Sequence, residues 1–199
     1  KMTKKLFQEG KAGERMLVVV LHKPGTAGKK YRLSREKDIE FFKSAERYLE
    51  EKREKLKEEW RIDPVPDEQL PPKNTLGFRV QRYRMLKWGD LFNSRQKLAL
   101  ITFTEKVRQA YKRMIEEGYE EDYAKVVASY LGLIVDRMAD YENHLCRWNP
   151  QWESIRNTFA RQALPMVWDY GELNPFSPIL TGTWNSMLGQ ILKTLFHLS

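Results

Sequence analysis

Apolar residues recur at helical spacing twice in succession in the middle of this chain: Leu98, Ile101, Val107, Tyr111 and Met114, then Val127, Leu131, Ile134, Met138 and Leu145. A period near 3.6 places each set on one helix face, and a face of that kind has to be buried against something. Gly118 stands between the two sets, and the link is short enough to predict antiparallel neighbours. Asn93 or Ser94 supplies the N-cap of the first. An earlier set, Ile39, Phe42, Leu49, Leu56 and Trp60, follows Ser34 as a candidate cap, and the charged run EEKREKLKEE makes the last turns read as an exposed arm. Thr183 to Leu198 closes the chain as an amphipathic helix, which can pack internally or serve as a docking surface.

The remaining segments are short. Arg15 to His22 is apolar and β-branched, Pro24, Gly25 and Gly28 supply turn chemistry, and Tyr31-Arg32-Leu33 completes a small hairpin. Pro64, Pro66, Pro71 and Pro72 stiffen a connector, because proline fixes φ and donates no hydrogen bond. Beyond it, Phe78, Val80 and Tyr83 alternate with polar residues as a strand or extended segment does, and Trp148 to Pro178 is broken by prolines. The expectation is an α+β protein, mostly α, with about four to five helices and an N-terminal β-hairpin. It divides into a hairpin and long charged helix (1–60), a connector (61–77) and a helical region with a Trp/Pro-rich segment (78–199).

Charge is segregated. Of the 199 residues, 35 are Lys or Arg and 27 Asp or Glu, a net charge of +8. Lys1 to Arg35 holds ten basic and two acidic residues, and Lys73 to Lys97 holds seven basic residues against Asp90 alone. Leu98 to Cys146 is the reverse, with six basic and nine acidic. Basic charge gathered into regions suits a polyanionic partner better than a uniformly solvated exterior does. The single cysteine, Cys146, excludes an intramolecular disulfide and a Cys-rich zinc site, which fits a reducing cytoplasm. The longest β-type apolar run, Met16 to Leu21, is far below the length of a membrane span. The charged runs and low cysteine content also suit a thermophile.

Several motifs invite chemistry. Asn149-Pro150-Gln151-Trp152 is one residue from the Asn/Asp-Pro-Pro-aromatic loop that holds a target amine in amino methyltransferases, but the second Pro is missing, and a turn is the expectation. Asn174-Pro175-Phe176 is similarly weak. His144 and Cys146 have no second pair to complete a metal site, and read as a solvent-side His beside a buried Cys. Asp136 and Asp140 share a helix face, as carboxylates on solvated helices often do. No strand, Gly-x-Gly turn and helix unit that could cradle a methyl donor is present.

The polar positions of interest lie elsewhere. Arg79, Gln81, Arg82, Arg84 and Lys87 interleave with Tyr83 and Trp88, a pattern for phosphate contact with stacking, or for an edge strand with a basic face. Lys29 and Arg32 on the hairpin extend the basic set. Arg95 and Gln96 open a helix, where they can address a phosphate, or Arg95 can pair with Asp90. Arg156, Asn157, Arg161 and Gln162 are of the types that read base edges, or an Arg among them is a buried tether to Asp169 or Glu172. Trp148, Trp152, Trp168 and Trp184, with Phe159 and Phe176, are expected to build a second core.

Taken together, GFRVQRYRMLKWGDLFNSRQKLAL, DRMADYENHLCRW, RNTFARQALPMVWDYGELNPFS and TWNSMLGQILKTL resemble, in that order, the long insert of the family of adenine-specific DNA methylases that contain a zinc ribbon. The resemblance runs from about Lys4 to the end and identifies the sequence as an excised domain, lying between the methyl-donor half and the catalytic half. It implies S-adenosylmethionine as the cofactor of the parent enzyme, with none bound by this chain, and no catalytic or metal residue here. The expected function is a DNA-binding or target-recognition accessory domain whose partners are DNA and the rest of the methyltransferase. The alternative is a scaffold that joins the halves or a partner protein without touching DNA.

Overall fold

The computed structural model describes residues 2–23, 25–72, 75–160, 163–178 and 180–198. Among them are five helices: α1 (Met2–Gln8), α2 (Glu36–Trp60), α3 (Ser94–Glu116), α4 (Glu121–Tyr141) and α5 (Trp184–Leu198). Two antiparallel pairs accompany them, β1 (Val18–Leu21) with β2 (Lys30–Leu33) and β3 (Arg147–Asn149) with β4 (Ser154–Arg156). The protein is therefore α+β and mostly helical, with the expected N-terminal hairpin, whose register pairs Val18 with Leu33 and Leu21 with Lys30.

The α3–α4 reversal forms as its periodicity requires. Asn93 is the cap: its side-chain oxygen accepts from Gln96 N at 2.9 Å, and Gln96 Oε1 accepts from Asn93 N at 2.9 Å. Two otherwise unsatisfied amides are thereby paired. At the far end Gly118 turns left-handed with φ 85°, a conformation glycine adopts without steric cost. Ile134 and Met138 of α4 then join Met187 of α5, with Tyr141, Cys146, Ile155 and Leu173, in the largest core cluster.

The end of α2 is not a free arm. Leu49 and Leu56 are buried with Val65 and Ile101, and Trp60 packs at the edge of that cluster. Arg108 stacks over Trp60 at 4.6 Å, and Lys112 of α3 reaches Glu59 at 3.4 Å. One buried leucine is worth about 1.5–3 kcal/mol, enough to hold a charged helix against a neighbour despite its polar majority. Nor does Ser34 cap α2. Its hydroxyl donates to Met16 O at 2.7 Å, tying the hairpin, while Arg35 N donates to Asp38 Oδ2 at 2.8 Å.

The proline connector is packed as well. Leu70 N donates to Leu86 O, Trp88 N to Glu68 O and Gly89 N to Pro66 O, at 2.8–3.0 Å. A Cβ on Gly89 would stand 2.5 Å from Pro66 O, so only glycine admits this approach. Arg53 grips Asp63 through two bonds of 2.9 and 2.7 Å, fixing where the connector leaves α2.

The aromatic-rich segment divides. Trp148 and Trp184 pack on the main core, and Trp184 stacks on Phe103 at 4.9 Å. Trp152, Trp168, Phe159 and Phe176 are exposed, so no separate second core is built from all six. Asn149 to Trp152 forms the turn of the β3–β4 hairpin, with Asn149 Oδ1 accepting from Gln151 N at 3.1 Å.

Candidate nucleic-acid interface

Residues 78–84 are not a strand. Phe78 makes a single parallel bridge to Leu164, after which Val80–Tyr83 winds into a 3-10 turn with Val80 and Gln81 buried. Three residues per turn places Arg79 and Arg82 on one side, and both are exposed. Arg84 then adopts φ 68°, rare for a residue with a Cβ, and lays its guanidinium across Gly10.

Helix α1, too short to be read from periodicity, docks on this turn. Phe7, Tyr83 and Trp168 form an edge-to-face triad with centroids 5.1–5.9 Å apart, and Lys4 lies 6.0 Å from the Tyr83 ring. Trp168 keeps 58% of its surface exposed. Lys4, beside the Tyr83 ring, and Arg84, beside Gly10, thus gather at three aromatic rings, and the exposed Arg79 and Arg82 belong to the same turn as Tyr83. None of the three arginines has a side-chain hydrogen bond or ion pair among the described residues.

The other predicted residues go elsewhere. Lys29 lies over Trp148 at 5.2 Å, and Arg32 makes a bidentate pair with Asp38 at 2.6 and 2.8 Å. That pair holds the Asp38 carboxyl well below its usual range. Lys87 follows the turn, and its amide donates to Asp90 Oδ2 at 2.9 Å. Arg95 pairs with Glu172, not Asp90, and stacks on Phe42 at 5.5 Å. Gln81 and Gln96 are buried, the first donating to Pro71 O at 2.7 Å and the second serving the cap, which removes both from any surface contact. Arg156 is exposed on β4, and Asn157 donates to Asp140 at 2.8 Å. Arg161 and Gln162 lie outside the described residues.

Asp140 is the hub of a buried network. Its carboxylate accepts from Arg137, Asn157 and the Phe159 amide at 2.7–2.8 Å, which leaves Asp136 alone and solvated on that face. His144 is largely buried rather than solvent-side, and burial lowers its pKa; Cys146 is buried and its thiol is pushed up to about 11 by the same cause. No group of three or more His, Cys, Asp or Glu among the described residues is placed to hold a metal ion, and no helix there is long and apolar enough to cross a membrane.

Beside the arginine cluster opens a cleft of about 400 Å³. Phe7, Gly10 and Glu14, Tyr83, Arg84 and Asp90, the cap residue Asn93 with Ser94 and Lys97 of α3, and His144 are among the residues that line it. The sequence singled out Arg84 there but not Lys97, although a lysine in the first turn of a capped helix runs against the preference of that end for acids. No protein-family profile, curated protein or solved structure matches this chain.

Proposed function

We propose that this chain is a DNA-binding accessory domain of an adenine-specific DNA methyltransferase, non-catalytic by itself, with S-adenosylmethionine belonging to the catalytic parts of the parent. The observation that supports the reading is the triad of Phe7, Tyr83 and Trp168 with Lys4 beside the Tyr83 ring, on a turn that also carries the exposed Arg79, Arg82 and Arg84. Unpaired guanidinium groups suit phosphates, and a half-exposed indole beside them can stack on an unpaired base. An enzyme acting on a flipped base needs a separate surface to grip flanking DNA, and that role fits an insert of this composition.

The scaffold reading has its own observation. Tyr119 and, on α4, Tyr123, Val126, Tyr130 and Leu133 are exposed at alternating spacings of four and three, a stripe that a partner helix could cover.

Fluorescence anisotropy with duplex and single-stranded DNA at several salt concentrations separates the two. The DNA reading expects weak binding that falls steeply with salt, and a slope reduced by about 0.9 for each phosphate contact removed. Replacing Arg79, Arg82 and Arg84 by Ala is expected to weaken binding to all sequences with little change in melting temperature, since exposed charges contribute little to stability. Undetectable binding at low salt, or full affinity in the triple variant, sinks the DNA reading at this cluster.

A further inference from the structure

The cleft beside the cluster contains four charged groups, and they are not equivalent. Both acids are already engaged: Asp90 Oδ2 accepts from the Leu86 and Lys87 amides at 2.8 and 2.9 Å, and Glu14 accepts from Tyr170 Oη. Neither the Lys97 ammonium nor the Arg84 guanidinium has a hydrogen bond or ion pair among the described residues.

Lys97 is the anomaly. It is partly withdrawn from water, and burial lowers its pKa, an unfavourable setting for an unpaired charge. It also sits in the first turn of α3, where the helix dipole opposes a cation. His144 Nε2, on the same cleft, lies 3.5 Å from Glu14 and makes no hydrogen bond. On the same cleft, Arg84 has a left-handed backbone that costs of order 1 kcal/mol. Two positive donors without a hydrogen bond or ion pair line one cavity, whose two lining carboxylates each already accept a hydrogen bond, and this describes a seat for an anion supplied from outside.

We propose that Arg84 and Lys97 form the two jaws of a phosphate-binding cleft, which takes a backbone phosphodiester while the neighbouring Phe7, Tyr83 and Trp168 face the attached bases. The assignment rests on the DNA-binding reading for its ligand but not for its chemistry. A phosphate monoester would satisfy the same groups, so the two sources are distinguished by experiment.

The test uses the whole chain and Lys97→Met, which keeps the apolar stem and removes the charge. Inorganic phosphate, on the order of 100 times its Kd, is expected to raise the melting temperature of the unaltered protein by a few degrees and to leave Lys97→Met unmoved. The variant itself is expected to melt no lower than the parent, because a desolvated charge has been removed. Affinity for single-stranded DNA should fall about tenfold with a salt slope shallower by about 0.7. Should Lys97→Met fold poorly, Arg84→Gln, at an exposed position, is expected to lose the same phosphate shift. An equal phosphate response in parent and both variants overturns the cleft. DNA binding whose salt slope is unchanged in both variants overturns it while leaving the DNA reading standing. A phosphate shift that depends on Lys97, without any DNA binding, upholds the cleft as a seat for a phosphate monoester and removes the DNA reading.

Discussion

Glu142 shows how one side chain is set by its surroundings. It is 1% exposed, its Oε1 has no hydrogen-bond partner, and burial, assisted by the charge of Glu172 and opposed by Arg95, pushes its pKa up to about 9. The folded protein therefore keeps a proton that the unfolded chain releases near the ordinary carboxylate value, so stability falls as pH rises through the interval up to about 9. The upper limit is about 1.4 kcal/mol per pH unit. Glu142→Gln is expected to match the parent in urea denaturation near pH 5 and to exceed it increasingly towards pH 8. A constant difference between the two proteins across that range would contradict a protonated Glu142.

The N-terminus of α3 carries more than its own helix. Asn93 accepts from Gln96 N, and its amide nitrogen donates to Tyr170 Oη at 3.1 Å and Glu172 Oε2 at 3.0 Å, tying the cap to a segment almost eighty residues away. Asn93→Ala is expected to cost about 2 kcal/mol, more than the roughly 1 kcal/mol of an isolated cap, because the half-buried Tyr170 and Glu172 lose a donor. Chemical denaturation measures it, and a loss below about 1 kcal/mol would show that the remote bonds contribute nothing. The cap itself was legible in Asn93-Ser94 and in the apolar period that follows. Its remote partners were not, since nothing in a linear pattern places Tyr170 and Glu172 beside it.

As a whole the molecule offers an aromatic cluster and cleft carrying Lys4, Arg84 and Lys97 at α1 and an exposed apolar stripe along α4. Both sheets among the described residues are two-stranded antiparallel pairs, whereas a methyl donor is ordinarily cradled at a glycine turn leaving a parallel strand. Methyl transfer depends on holding donor and acceptor about 3–3.5 Å apart. The isolated chain is therefore expected to give no heat with S-adenosylmethionine in calorimetry and no labelled methyl on DNA. Micromolar donor binding abolished by Asn149→Ala would overturn its reading as a non-catalytic part.

Periodicity and caps determined the α3–α4 reversal, the N-terminal hairpin and the mostly helical class, because these depend on which residues lie within a few positions of one another. Long-range placement decided the rest. Leu56 and Trp60 were apolar enough for either an arm or a packed helix, and only α3 alongside them made the choice. Seven residues of α1 hold too few turns to show a period, and its docking is fixed by Phe7 meeting Tyr83 and Trp168. Charge counting found the basic segments but could not tell Arg95, spent on Glu172, from Arg84 and Lys97, left without a partner. An ion pair is a property of distance in space, and only the folded chain sets that distance.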